Sequence, residues 1–201
     1  MVVRAAGLVA VFPALDPGAH RGPEIGAGDR RRRSAVTSPA MDSEPALADV
    51  LARYSGGPDD GVFTDGSADP NPGPGGWGAV FVRDGTIIAS DRGHEEHTTN
   101  NRMELTAIIA GLALVPDGDR ATVYSDSRLC VDTLTSWAHA WKRRGWRRKG
   151  GEVANVDLVR EAYERLHERP GVELRWIKAH DGSRWNEYAD VLAGSYRREG
   201  K

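Results

Sequence analysis

Four carboxylates in this 201-residue chain stand where an acid is either costly or useful. Asp65 ends a β-type run, Val62–Thr64, and Asp126 ends another, Thr122–Ser125. Strand carboxyl ends are the edge at which α/β sheets place their ligands. Glu104 falls in the first turns of a helical pattern, and Asp190 interrupts the apolar stretch Ala189–Ala193. An acid in such a stretch is costly to bury without a cation or a donor. Each of the four, alone, reads as a cap or a solvated side chain. Converging, they would form a hard oxygen cage suited to Mg²⁺ or Mn²⁺. Two such ions about 4 Å apart make a clamp for in-line displacement at phosphorus.

Other groupings carry less. Gly73, Gly75 and Gly78 satisfy the spacing G-x-G-x-x-G, but Pro72 and Pro74 interrupt it and a β-type run follows, so a turn-rich loop is expected in place of a dinucleotide fingerprint. His94-Glu95-Glu96-His97 lacks the spacing of a helical zinc site and is expected to be a solvated loop. Cys130, flanked by Leu129 and Val131, reads as a small core residue. The single cysteine excludes an internal disulfide framework and suits a reducing compartment.

The elements that must position the acids follow from periodicity. Gly78–Arg83 and Thr86–Ser90 read as strands joined by an Asp84-Gly85 hairpin turn. Leu105, Ile108, Ile109 and Leu112 recur at helical spacing and predict a helix over about Asn100–Leu114. Helical sequence follows Asp126, and Val159, Ala162, Tyr163 and Leu166 mark another helix. Val172–Ile177 is a fifth strand and Asn186–Arg197 a last helix. A three-strand meander followed by strands alternating with helices predicts an α/β fold, a five-stranded mixed sheet flanked by helices.

Charge is segregated. The chain carries 27 basic and 29 acidic residues, yet Lys142, Arg143, Arg144, Arg147, Arg148 and Lys149 put six cations into eight positions. That leaves 21 basic residues against 29 acidic ones elsewhere, an acidic body with one basic patch. Trp137, Trp141 and Trp146 interleave with these cations, a composition that favours phosphate pairing and stacking on nucleic acid. No apolar run approaches the length of a membrane span. Residues 1–60 have little apolar periodicity and are expected to be a disordered or linker extension, with one short helix at Ala46–Tyr54. Met41 is a candidate start, residues 61–197 are the expected catalytic domain, and 198–201 a tail. Hydrolysis is then expected to survive loss of residues 1–60.

Several blocks resemble type 1 ribonuclease H. They are Thr64-Asp65-Gly66-Ser67 with Asn71-Pro72-Gly73-Pro74-Gly75-Gly76-Trp77-Gly78, then Thr98-Thr99-Asn100-Asn101-Arg102-Met103-Glu104-Leu105. Ser125-Asp126-Ser127 follows, and last Ala179-His180-Asp181-Gly182 with Asn186-Glu187 and Asp190. The blocks occur in the family's order over about Gly61–Tyr196. The resemblance implies a ribonuclease H-like fold and hydrolysis of the RNA strand of RNA–DNA hybrids, giving 5′-phosphate and 3′-hydroxyl ends. It implies that Asp65, Glu104, Asp126 and Asp190 hold two Mg²⁺ ions, with Mn²⁺ able to substitute, and that Asp65 bridges them. His180 matches the family's mobile histidine for proton transfer or product departure.

Substrate contacts are implied in the same way. Gly66, Ser67, Asn71, Asn100 and Asn101 match positions facing the hybrid, and Thr99 one near a DNA-strand phosphate. Trp137, Trp141, Lys142, Arg143, Arg144, Trp146, Arg147 and Arg148 resemble the family's basic protrusion. Arg128 stands where a glutamine is common, which would make that groove contact electrostatic. Asp181 beside His180 is expected to favour its protonated form. A cytoplasmic monomer with no obligatory protein partner completes the expectation. A DNA junction resolvase on the same fold and a silent hybrid-binding module are the alternatives.

Overall fold

A computed structural model describes residues 44–199. Chain order is α1 (Glu44–Arg53), β1 (Gly61–Ala68), β2 (Gly73–Arg83), β3 (Thr86–Thr98), α2 (Asn100–Leu114) and β4 (Ala121–Ser125). Then come α3 (Arg128–Asp132), a wide π-helical turn over Thr133–Trp137 and α4 (Ala138–Arg143). The paired dipeptides β5 (Arg147–Arg148) and β6 (Gly151–Glu152) precede α5 (Val156–His167), β7 (Val172–Trp176), α6 (Arg184–Ala193) and α7 (Tyr196–Glu199).

The five-stranded sheet has the order β3-β2-β1-β4-β7. β1 pairs antiparallel with β2 and parallel with β4, so the meander and the crossover strands meet at β1. That junction places Asp65 at the centre of the sheet. Alternation along the strands divides the core in two. Val62, Ala79, Phe81 and Val123 face α2, α5 and the 128–143 helices. Phe63, Val80 and Val82 face α1 and α6 through Val50, Trp185, Tyr188 and Leu192.

α2 begins where its sequence predicts. Thr99 has extended backbone and its hydroxyl accepts from the Arg102 amide at 3.4 Å, satisfying one donor of the helix start. Three expectations are corrected. The Gly73–Gly78 stretch is strand β2, because its glycines let neighbouring backbone pack close: a Cβ on Gly78 would lie 2.5 Å from the Leu192 Cβ on α6. His94–His97 extends β3 and forms no loop, since pairing with β2 continues as far as Thr98 against Gly73. The helix expected over Asn186–Arg197 is two helices separated at Gly194 and Ser195.

The short helix expected at Ala46–Tyr54 is α1, Glu44–Arg53. α1 is folded onto α6, with Val50 only 6% exposed, because α1 has an apolar stripe that the open face beside Trp185 can bury. The expectations for residues 1–43 and 200–201 lie outside the described residues. Cys130 is buried and its thiol is pushed up to about 11, chiefly by burial, in keeping with an inert core residue.

Candidate active site

Backbone approach comes first. A Cβ on Gly66 would overlap the Met103 carbonyl carbon and the Glu104 nitrogen. Only glycine there lets α2 lie directly on β1, and this contact delivers Glu104 to Asp65. Gly66 is thus a spacer between two acid-bearing elements. Gly66→Ala is expected to cost about 1–3 kcal/mol of stability and to separate Asp65 from Glu104. A denaturant melt and a Mg²⁺ titration of the variant would check both effects, and unchanged values for each would refute the spacer role.

Carboxylate oxygens of Asp65, Glu104 and Asp126 all lie within 4.8 Å of one another. Asp190 belongs to a second group with Glu187 and His180, defined by the same separation. The two groups are contiguous, since charge repulsion from Asp190 raises the pKa of both Asp65 and Asp126. Burial is the larger cause: it holds Asp65 and Glu104 well above the ordinary carboxylate range, and the neighbouring acids add to it. Asp126 is raised for the same first reason, but less exclusively, because Asn186 Nδ2 donates to its Oδ2 at 3.2 Å. Glu104 Oε2 is buried and has no hydrogen-bond partner. No ion pair among the described residues engages any of the four acids. Buried, mutually repelling carboxylates with an orphaned oxygen fit a divalent cation, which satisfies all of these at once.

The surrounding residues hold this geometry. Trp176 Nε1 donates to the Asp126 carbonyl at 3.0 Å, and the Arg128 guanidinium lies 4.4 Å from the Trp176 ring centre. Arg128 is exposed beside the site, on an aromatic platform 39% exposed. Asn100 Oδ1 accepts from the Ala68 amide at 2.6 Å, and the Asn100 amide donates to Asn71 Oδ1 at 3.2 Å. These bonds tie the β1–β2 loop to the start of α2 and set Asn71, Thr99, Asn100 and Asn101 in one strip. Ser67 lies on β1 with a buried, unpartnered hydroxyl.

His180 is exposed, on a loop, with a left-handed φ of 47°. Its Nδ1 stands 3.6 Å from Glu187 Oε2, whereas Asp181 is engaged by Lys178 at 2.9 Å. The acid facing His180 is therefore Glu187 and not the sequence neighbour Asp181, because the loop turns Asp181 outward. Sequence reasoning assigns no separate role to Asn186, Glu187 or Trp176. Asn186 and Glu187 lie four and three residues before Asp190, the spacing of one helix face, and that spacing is the available signal.

The basic protrusion is rooted in the core. Trp141 and Trp146 are half-buried against the main core cluster, and Trp146 meets Tyr163 edge-on at 5.7 Å. Of the three tryptophans only Trp137 is exposed, at 43%. A projection this short has no interior of its own, so its large rings must anchor it. Lys142 lies over the Tyr163 ring at 5.2 Å, while Arg143, Arg144, Arg147 and Arg148 are exposed and in no ion pair among the described residues.

Acids from the central strand β1, from the end of β4 and from two helices, gathered in a chain that also carries a cationic arm, define the class of metal-dependent nucleases that act on nucleic-acid backbones. Comparison with known proteins narrows this. The sequence model described as RNase H matches residues 59–197. Ribonuclease H of Methylorubrum extorquens is 45% identical over 139 residues, covering 69% of this chain and 60% of that protein. Ribonuclease H of an Acidovorax species is 42% identical over 134 residues, covering 66% and 90%. The crystal structure of LC9-RNase H1, a type 1 RNase H with the type 2 active-site motif, aligns with a TM-score of 0.57 at 31% identity, covering 73% of this chain and 76% of that one. The chain belongs to the ribonuclease H family.

Proposed function

We infer that this chain is an endoribonuclease that hydrolyses the RNA strand of RNA–DNA hybrids, with two Mg²⁺ ions, or Mn²⁺ in their place, held by Asp65, Glu104, Asp126 and Asp190. The observation that carries this reading is the trio of buried Asp65 with half-buried Glu104 and Asp126, their oxygens within 4.8 Å and the buried Glu104 Oε2 without a protein partner. When bound, the ions supply a hydroxide nucleophile at neutral pH and neutralise charge on the departing oxygen.

The chain's own residues do the rest. Asp65, central on β1, would hold the ions together with Glu104 and Asp126, whose oxygens lie within 4.8 Å of its own. Asn186 orients Asp126 through its Oδ2, and Trp176 fixes the Asp126 backbone. With Nδ1 against Glu187, His180 offers Nε2 for moving a proton to the departing 3′ oxygen. Gly66, Ser67, Asn71, Asn100 and Asn101 line the approach to the RNA strand, where amides and backbone can recognise 2′-hydroxyls. Thr99 meets a DNA-strand phosphate. Arg128 contributes a charge beside the scissile position. Trp137, Lys142, Arg143, Arg144, Arg147 and Arg148 grip the duplex, with Trp141 and Trp146 as their roots. Products carry 5′-phosphate and 3′-hydroxyl ends. No helix among the described residues is long and apolar enough to cross a membrane. We place the enzyme in the cytoplasm as a monomer that needs no protein partner.

Cleavage of a labelled hybrid tests this, with duplex DNA, branched DNA, duplex RNA and single strands alongside, in Mg²⁺ and in EDTA. Hybrid-only, metal-dependent cutting is the expected result. Cutting of branched DNA would make the chain a resolvase-like relative, and binding without cutting a silent module.

A further inference from the structure

The matched family segment begins at residue 59, yet the chain ahead of it is folded against the active-site loop. We propose that residues 44–57 form a strap that positions the loop carrying His180, with Tyr54, Gly56 and Gly57 as positioning residues for hydrolysis. This rests on the proton-moving role of His180 proposed above.

α1 anchors the strap. Val50, with Leu47 and Tyr54 beside it, packs into the cluster formed by Trp185, Tyr188 and Leu192 of α6. Beyond α1, the chain runs alongside the end of the His180 loop, with Gly56 and Ser183 in a parallel bridge. The Gly56 amide donates to the Gly182 carbonyl at 3.2 Å, and the Arg184 amide donates to the Gly56 carbonyl at 2.9 Å. Arg184 Nε donates to the Tyr54 carbonyl at 2.7 Å. Trp185 Nε1 continues the series, donating to Asp59 Oδ1 at 3.3 Å.

These bonds supply what α6 lacks at its own start. A helix start leaves its first amides without partners, and Ser183 at that position makes no side-chain capping bond. The Gly56 carbonyl takes the first of those donors. The fit is close: Gly57 has φ 86°, and a Cβ there would overlap Ser183 Oγ. Upstream, the loop is tied to the sheet where the Ile177 amide donates to the Ser125 carbonyl at 3.0 Å. Between Ile177 and Gly182 the residues are exposed, and His180 and Gly182 both adopt positive φ. The strap thus closes the downstream end of a loop whose middle has few partners. Misplacing a reacting group by about 1 Å can cost up to 10²-fold in rate. On this proposal residues 44–57 contribute to hydrolysis, unlike the sequence expectation that residues 1–60 are dispensable.

The test uses the full chain with Gly57→Ala, which forces Ser183 away, and with Arg184→Ala, which removes the donor to Tyr54 and the guanidinium over the Trp185 ring but keeps the backbone donor to Gly56. The second variant carries the test if the first fails to fold. Amide exchange over 178–184 is measured first, then kcat and KM in both the wild-type and His180→Ala backgrounds. Expected are exchange faster by about tenfold in that loop but not in α2, and kcat lowered about tenfold with KM little changed. In the His180→Ala background the strap variants should lower kcat no further, because coupled sites are non-additive. Unchanged loop exchange overturns the strap. Faster exchange with fully additive kcat losses, as general destabilisation would give, overturns its positioning role. If His180→Ala alone leaves kcat at the wild-type value, the proton-moving role fails and the catalytic consequence of the strap with it, while exchange still decides whether the strap holds the loop.

Discussion

Asp65→Asn is expected to abolish hydrolysis and to raise the melting temperature of the metal-free protein. The first effect follows from removing the central ligand: several kcal/mol of transition-state stabilisation correspond to a kcat loss of about 10⁴-fold. The second follows from repulsion. Asp65 is buried among Glu104, Asp126 and Asp190, and its folded-state pKa lies well above the ordinary value of 3.8. Between those two values the folded state holds more protons than the unfolded one, so stability falls as pH rises through the window. The same sign applies to Glu104, starting from its ordinary 4.5. In EDTA, wild type should lose more stability than Asp65→Asn does as pH is raised from the ordinary carboxylate values of 3.8 and 4.5 toward neutrality. Mg²⁺ should stabilise wild type more at the upper end of that range than at the lower, and the variant little at either. Differencing the two proteins removes the contribution of histidines common to both. Parallel melting curves across that range would contradict the repulsive cage.

Replacing Arg143, Arg144, Arg147 and Arg148 together by glutamine is expected to raise KM about 10²-fold at about 0.15 M salt, with kcat within about threefold. These guanidiniums are exposed, sit on a projection apart from the four carboxylates in sequence, and have no ion-pair partner among the described residues. Their charge is thus available to phosphates. Each phosphate left without its guanidinium should flatten the dependence of log KM on log salt by about 0.9, so the combined variant, with four guanidiniums removed, should show a slope shallower by about 3.6. Because Trp141 and Trp146 hold the projection from beneath, its fold should survive the substitutions. Circular dichroism would verify that. An unchanged slope would show that the hybrid is held elsewhere.

The five-stranded mixed sheet and α2 are legible in the sequence because their signals are local and periodic, whereas the strand order comes from the structure. The Asn100–Leu114 helix appears with the bounds its apolar spacing suggests, and the structure adds the Thr99 cap. β2 and β3 read short because glycines and charged residues suppress the strand signal, and both strands continue only through pairing with each other. Among the site residues, Glu104 and Asp126 can be placed from a helix start and a strand end, whereas Asp65 lies within β1, which pairing with β2 carries on to Ala68 beyond the expected end. Asn186, Glu187 and Trp176 cannot be assigned that way, since what they do depends on α6 and β7 meeting the end of β4. The strap is invisible for a related reason. Val50 and Gly56 find their partners at Trp185 and Gly182, well over a hundred positions away, and no periodicity encodes such a meeting.

The junction at β1 has a consequence in time as well as in space. The four acids lie on elements that follow one another from residue 65 to residue 190, with α6 last among them. During synthesis the chain emerges with Asp65, Glu104 and Asp126 first, and the cage remains incomplete until α6 docks on the far face of β1 and β2. With Asp190 as the fourth ligand, as proposed above, a growing or partly unravelled chain lacks one wall of the cage until α6 docks.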